Sequence, residues 1–200
     1  MRIELSNIGH RYADGPLLFH DLNATLLPNH VYALTGPSGS GKSTLLGIIA
    51  GWIQPSNGEV SKQNVDSMRW VFQNPHGIAQ RTVLDHVSLP LLAKGLTRKQ
   101  AKHEAVPALK RFGLNHVADH RFSDLSGGEA QRLMLARAFV AHPSLMLVDE
   151  PTAQLDMHTA VTISDALTRI AQSDTIVVVS THDPRTRDAC TDVIDLKDFQ

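Results

Sequence analysis

The stretch GPSGSGKST, Gly36 to Thr44, leaves a chain few folds to choose from. It sits between a strand-like VYALT and the apolar run LLGIIAG. Glycines at this spacing let backbone N–H groups converge on one point, which requires a strand, a tight loop and a helix in immediate succession. Gly36-x-x-x-x-Gly41-Lys42-Ser43 matches the phosphate-binding loop in full. The backbone at Gly36, Ser38, Gly39, Ser40 and Gly41 is expected to cradle phosphate oxygens, helped by the positive end of the following helix. Lys42 then supplies a point charge to the β- and γ-phosphates. Ser43 offers a hydroxyl to Mg²⁺, and Thr44 completes the run.

The rest of the chain reads as the same class of fold. RIELSNI and LLFHDLNATLL are short β-like pieces, and LLGIIAG is a buried helix that stops at Gly51. QPSNGEV, Gln54 to Val60, has turn chemistry, and RWVFQ, Arg69 to Gln73, returns as a strand. Thr97 and Gln100 form a capping box for a polar helix that Gly113 closes, and Pro107 inside it predicts a kink or a break. Further on, a helix follows Ser126, SLMLVD is a buried strand, and a helix runs from about Asp156 to Ala171. TIVVVS and DVIDL are the last strands. Continuous apolar strands alternating with helices predict an α/β fold with a mainly parallel sheet covered on both faces.

SLMLVDE adds a second element of a nucleotide site. An apolar strand ending in Asp149 brings a carboxylate to the sheet edge where open α/β folds bind ligands. Asp149 is expected to hold Mg²⁺, mostly through water. Glu150 points elsewhere and is free to orient or deprotonate a water. Taken alone, Asp-Glu-Pro could equally cap the strand. No guanine-reading NKxD motif and no phosphoryl-acceptor signature is present, so hydrolysis of ATP is favoured.

Composition narrows the class further. The 200 residues suit one domain, and a net charge of −1 argues against a stand-alone nucleic-acid binder. The single cysteine, Cys190, excludes an internal disulfide and reads as a packed residue. The N-terminal MRIELSNIGHRYADG is too charged for a signal peptide, and no apolar run approaches the ~20 residues that cross a bilayer. The expectation is a soluble intracellular chain that reaches a membrane only through a partner.

LSGGEAQ, Leu125 to Gln131, looks like a second phosphate cradle. Ser126 and the N–H groups of Gly127 and Gly128 open an apolar helix, as an anion site would. Ser126 could also merely cap that helix, and both roles use one geometry.

With the phosphate-binding loop, VFQ, LSGGE, LMLVDEP, QLD and STHD in this order, the whole chain resembles an ATP-binding cassette (ABC) ATPase subunit of a transporter. The resemblance implies a single domain, 1–200, with a P-loop NTPase core and an N-terminal antiparallel β-subdomain. A helical subdomain, about 74–130, is inserted into it. It further implies that Tyr12 stacks on adenine, that Gln73 senses Mg²⁺ and the attacking water, and that Glu150 is the catalytic carboxylate. His182 would contact the γ-phosphate, and Asp156 would communicate across a dimer, although Asp156 may also cap its helix. Two cassettes, identical or paired with a second kind, would sandwich each ATP between one phosphate-binding loop and the opposite LSGGE. Integral-membrane permease subunits would meet the segment after Gln73, holding the cassette on the inner face of the cell membrane.

Two departures stand out. Ala130 occupies a position that is usually polar, and Ala153 replaces a commoner Ser or Gly, removing a hydroxyl worth ~1 kcal/mol across the dimer. TVLDHVSLPLL, Thr82 to Leu92, is similar to the lipoprotein-releasing and macrolide- or peptide-export branch. An importer cassette and a non-transport, cell-division-type cassette are the alternatives.

Overall fold

The computed structural model describes residues 1–13, 15–152, 162–163, 166–168, 170 and 174–200. Ala153 and Asp156 lie outside the described residues, as does most of the expected helix 156–171, of which residues 162–163, 166–168 and 170 are helical.

Among the described residues, eight strands form two sheets. β1 (Arg2–His10), β2 (Phe19–Leu26) and β4 (Asn57–Gln63) make an antiparallel sheet ordered β2-β1-β4. The second sheet, β5-β6-β7-β3-β8, is parallel throughout. Its strands are β3 (Val31–Thr35), β5 (Met68–Val71), β6 (Leu145–Asp149), β7 (Ile176–Ser180) and β8 (Asp192–Asp195). Between them run α1 (Lys42–Ala50), α2 (Val83–Ala93), α3 (Arg98–Arg111) and α4 (Gly127–Phe139), with a short helix Pro184–Asp188 before β8.

The apolar strands are continuous because both faces of the parallel sheet are covered. Leu145, Leu147, Ile176 and Val178 face a core shared with α1 and the antiparallel sheet. Met146, Val148, Val177 and Val179 face a second core built with α2, α3 and α4. Strand alternation thus sends neighbouring residues into two cores. α1 ends as expected at Gly51, whose φ of 85° lets its N–H close on the last turn.

Three local expectations are corrected. Gln54–Val60 is not all turn, because Asn57 begins β4. Gly58 has φ 79°, and a side chain there would meet the carbonyl oxygens of Ser6 and Asn7 at 2.3 Å. The glycine therefore serves a register shift against β1, between Ser6↔Glu59 and Gly9↔Asn57. RWVFQ ends as a strand at Val71, leaving Phe72 and Gln73 beyond β5. Pro107 does not break α3, which runs unbroken from Arg98 to Arg111. Burial of Ala101, Ala105, Ala108 and Leu109 on one side holds the helix together, and the exposed face carries the proline. The Thr97–Gln100 capping box and the positive φ of Gly113 are as read.

Cys190 is a packed residue. Its thiol lies 3.1 Å from the Thr186 carbonyl oxygen, and burial pushes its pKa up to about 11, away from nucleophile chemistry.

Candidate nucleotide site

Parallel pairing puts the carboxyl ends of β3, β6 and β7 side by side: Leu34 is opposite Ser180, and Ser180 is opposite Asp149. Whatever follows those strands must meet at one edge. After β3 comes the glycine loop, with Gly36, Gly39 and Gly41 at φ 142°, 82° and 97°. A Cβ on Gly41 would sit 2.8 Å from the Phe19 ring, and one on Gly36 would sit 2.6 Å from Ser40 Oγ. Glycine is thus required twice over. We expect Gly41→Ala to cost about 1–3 kcal/mol in denaturant unfolding; unchanged stability would show that the loop does not take this path.

Gly41 precedes α1 without a side-chain cap, so the first-turn N–H groups of α1 have no side chain to satisfy them. An anion could fill that role. Ser40 is 3 % exposed and its Oγ has no partner, a further orphaned polar atom in the cradle. Ser38 and Ser43 are exposed beside it. Lys42 folds back onto the loop, donating to the carbonyl oxygens of Gly36 at 3.0 Å and Pro37 at 3.2 Å.

The end of β6 supplies two carboxylates, and the end of β7 supplies their partners. The Ser180 hydroxyl donates to Asp149 Oδ1 and accepts the Glu150 N–H at 3.0 Å. Glu150 has φ 46°, a left-handed backbone uncommon for its type. Contrary to expectation, the Glu150 carboxylate is not free: Oε2 lies 2.7 Å from His182 Nδ1 and Oε1 lies 3.7 Å from Lys42 Nζ. The Lys42 and Glu150 side chains are only 10 % and 13 % exposed, so their attraction is weakly screened. Lys42, Glu150 and His182, read from three separate motifs, form one contact chain, with Asp149 anchored beside it.

Tyr12 is 55 % exposed at the same end, its hydroxyl 3.2 Å from Thr44 Oγ1. Gln73 is exposed two residues beyond β5 and is not among the side chains joined by these contacts. The preceding residue is held instead: buried Gln131 donates from Nε2 to the Phe72 carbonyl at 3.4 Å. Nothing in the local sequence marked that link, because its partners are 59 residues apart.

Ser126 caps α4. Its Oγ accepts from the Glu129 N–H, and Glu129 Oε2 accepts from the Ser126 N–H at 2.9 Å and hydroxyl at 2.7 Å. These hydrogen bonds from Ser126 hold the Glu129 carboxyl below its usual range, with His116 helping and burial opposing. A side chain on Gly127 would meet open space. The capping box therefore fixes the loop while leaving the helix end accessible. Glu129, three residues after a serine, is a box the spacing alone could have revealed.

Among the described residues no cluster of three His, Cys, Asp or Glu could hold a metal by itself. The hydroxyl of Ser43, the carboxylate of Asp149 and the amide of Gln73 are hard oxygen donors, the set that suits Mg²⁺ when phosphates and water complete the shell.

Comparison with known proteins agrees with this geometry. A family profile for ABC transporters matches residues 19–153. The lipoprotein-releasing system ATP-binding protein LolD of Pseudomonas syringae pv. tomato is 36% identical over 196 residues, covering 88% of this chain and 86% of that protein. The LolD protein of Hahella chejuensis is 40% identical over 180 residues, 82% of this chain and 78% of that one. Among solved structures, a dimeric ATP-binding cassette bound to ADP and Pi in a post-hydrolysis state is 31% identical with a TM-score of 0.82. That alignment covers 96% of this chain and 93% of the other.

Proposed function

The chain belongs to the ABC transporter family and is an ATPase subunit of that kind, and from this premise we propose that it works as a dimer driving an export-type, lipoprotein-releasing machine. The observation that carries the mechanism is the convergence of Lys42, Asp149, Glu150 and His182 on the uncapped start of α1. The backbone from Gly36 to Gly41 binds the phosphates of ATP, and Lys42 leaves its carbonyl partners to meet the β- and γ-phosphates. Glu150 orients and deprotonates the attacking water, while His182 stays near the γ-phosphate. Tyr12 stacks on the adenine. Mg²⁺, held by Ser43, Asp149 and Gln73, would neutralise charge on the phosphates. Asp156 would carry signals between the two sites.

The relatives named above act in lipoprotein release, and their similarity spans most of this chain. That supports the export-type reading over an importer or a cell-division-type cassette. The membrane subunits dock on residues 74–130, the proposed helical subdomain. A groove of about 400 Å³ opens there, lined by Trp70, Phe72, Leu89, Pro90, Ala93 and Met134. Leu89 is 47 % exposed, and Trp52, 61 % exposed, stacks on Trp70 at 4.6 Å beside the groove. No described helix is long and apolar enough to cross a membrane.

The dimer is tested at Ser126. Ser126→Arg places a bulky cation on the accessible end of α4, remote in sequence from the phosphate-binding loop. We expect ATP affinity of the monomer to hold within about twofold while dimer-dependent hydrolysis falls by roughly 100-fold or more. Loss of monomer binding in a titration would mean that LSGGE acts on nucleotide in its own chain.

A further inference from the structure

His86 is a buried imidazole that the proposed hydrolytic chemistry does not use. It is 3 % exposed in the first turns of α2. Its Nε2 lies 2.9 Å from the Ile78 backbone N–H, and its Nδ1 lies 2.8 Å from the Thr82 carbonyl oxygen. A backbone N–H can only donate and a carbonyl can only accept, so the ring must be neutral with its proton on Nδ1. The protonated ring would turn an N–H toward the Ile78 N–H, and both bonds could not survive.

The loop it fastens has a second set of ties. Val83 N–H donates to His120 O at 3.0 Å, Phe122 N–H to Arg81 O at 2.9 Å, and Ser123 N–H to Ala79 O at 3.2 Å. Thr82 and Arg121 form an antiparallel bridge. The Phe122 ring lies 5.4 Å from the His86 ring and covers Gly77, where a Cβ would meet it at 2.5 Å. So the segment leaving Gln73 is stitched to residues 118–123, and Leu125 N–H then bonds Phe122 O on the way to Ser126. His86 occupies the point where the two segments are pinned to one helix.

We propose that His86, as a neutral imidazole, is a positioning residue that sets the segment after Gln73 and the approach to Ser126 in one fixed arrangement. The proposal rests on Gln73 and Ser126 serving the nucleotide as described above.

Protonation is the natural way to undo this arrangement. Burial holds the His86 pKa below its ordinary value of 6.5; the Thr82 hydrogen bond opposes this, Arg137 on α4 adds to it, Asp85 on α2 opposes, and Arg81 in the loop adds. The native ring binds fewer protons than the unfolded one. The stability it contributes is therefore complete above pH 6.5 and is lost as pH falls through the lower folded value.

The test compares His86→Leu, which leaves the Ile78 N–H unpaired, with His86→Gln, whose amide oxygen can take the place of Nε2. In the full chain, hydrogen exchange reads the protection of the Ile78 amide, and steady-state ATPase reads kcat and KM. For His86→Leu we expect Ile78 protection and kcat each to fall about tenfold with KM unchanged. His86→Gln should keep both within about twofold. It should also lose the drop in Ile78 protection expected of the unaltered chain below pH 6.5. Equal Ile78 protection in all three proteins would overturn the contact itself. Lost protection with unaltered kcat would overturn the positioning role, whereas the Ser126→Arg result decides the underlying dimer reading separately. Should His86→Leu not fold, the acid-side comparison between His86→Gln and the unaltered chain decides alone: identical pH dependence refutes the inference.

Discussion

Lys42→Ala is expected to abolish nucleotide binding at working concentrations, weakening affinity by at least roughly 100-fold in an equilibrium titration. The side chain is only 10 % exposed, and it is the one lysine or arginine in the contact chain. Removing the ammonium leaves phosphate oxygens facing only backbone N–H groups, with the Glu150 carboxylate nearby and no longer offset. The variant should also loosen Glu150, whose remaining partner is His182 at 2.7 Å. Unchanged ATP affinity would sink the reading of Gly36 to Thr44 as the phosphate cradle.

Glu150→Gln should separate binding from chemistry. Glutamine has the same shape, can keep an oxygen near His182, and cannot accept a proton. Turnover is expected to drop about 10²- to 10⁴-fold, the usual contribution of a positioned base. ATP affinity should not fall, since the resting attraction between Lys42 and Glu150 is gone and the ammonium is freer to meet phosphate. The protein should then accumulate as an ATP-bound dimer, visible as an ATP-dependent doubling of mass in size-exclusion chromatography with light scattering. Hydrolysis at the unaltered rate would place the base elsewhere.

Motifs that act through backbone geometry were the most legible part of the sequence. The spacing Gly36, Gly41, Lys42, Ser43 predicted a strand–loop–helix, and the glycines adopt the positive φ values that the turn needs. Gly51 and Gly113 ended helices as expected, and the apolar strands were parallel and doubly covered. What was not legible depends on partners distant in the chain. Asn57-Gly58 reads as a turn until β1 supplies the pairing that makes it a bulged strand. Pro107 reads as a breaker until the buried alanines of α3 outweigh one missing hydrogen bond. At the site, the placement of Asp149, Glu150 and His182 followed from strand ends. The closed contact of Lys42 with Glu150 did not, since it joins residues more than a hundred positions apart. The Gln131 link to Phe72 and the His86 link to Ile78 were hidden for a related reason: side chains meeting backbone leave no pattern in sequence.

The aromatic stack at the groove has a practical consequence. Trp52 and Trp70 are the chain's two tryptophans, and they lie face to face at 4.6 Å and 10° with Phe72 alongside. Indole emission from the native chain therefore originates at one spot, the rim where a membrane subunit would dock. At this separation the two transition dipoles couple, so near-ultraviolet circular dichroism carries the signature of the pair as well as of each ring. The unlabelled protein thus comes with its own optical gauge of docking at that rim.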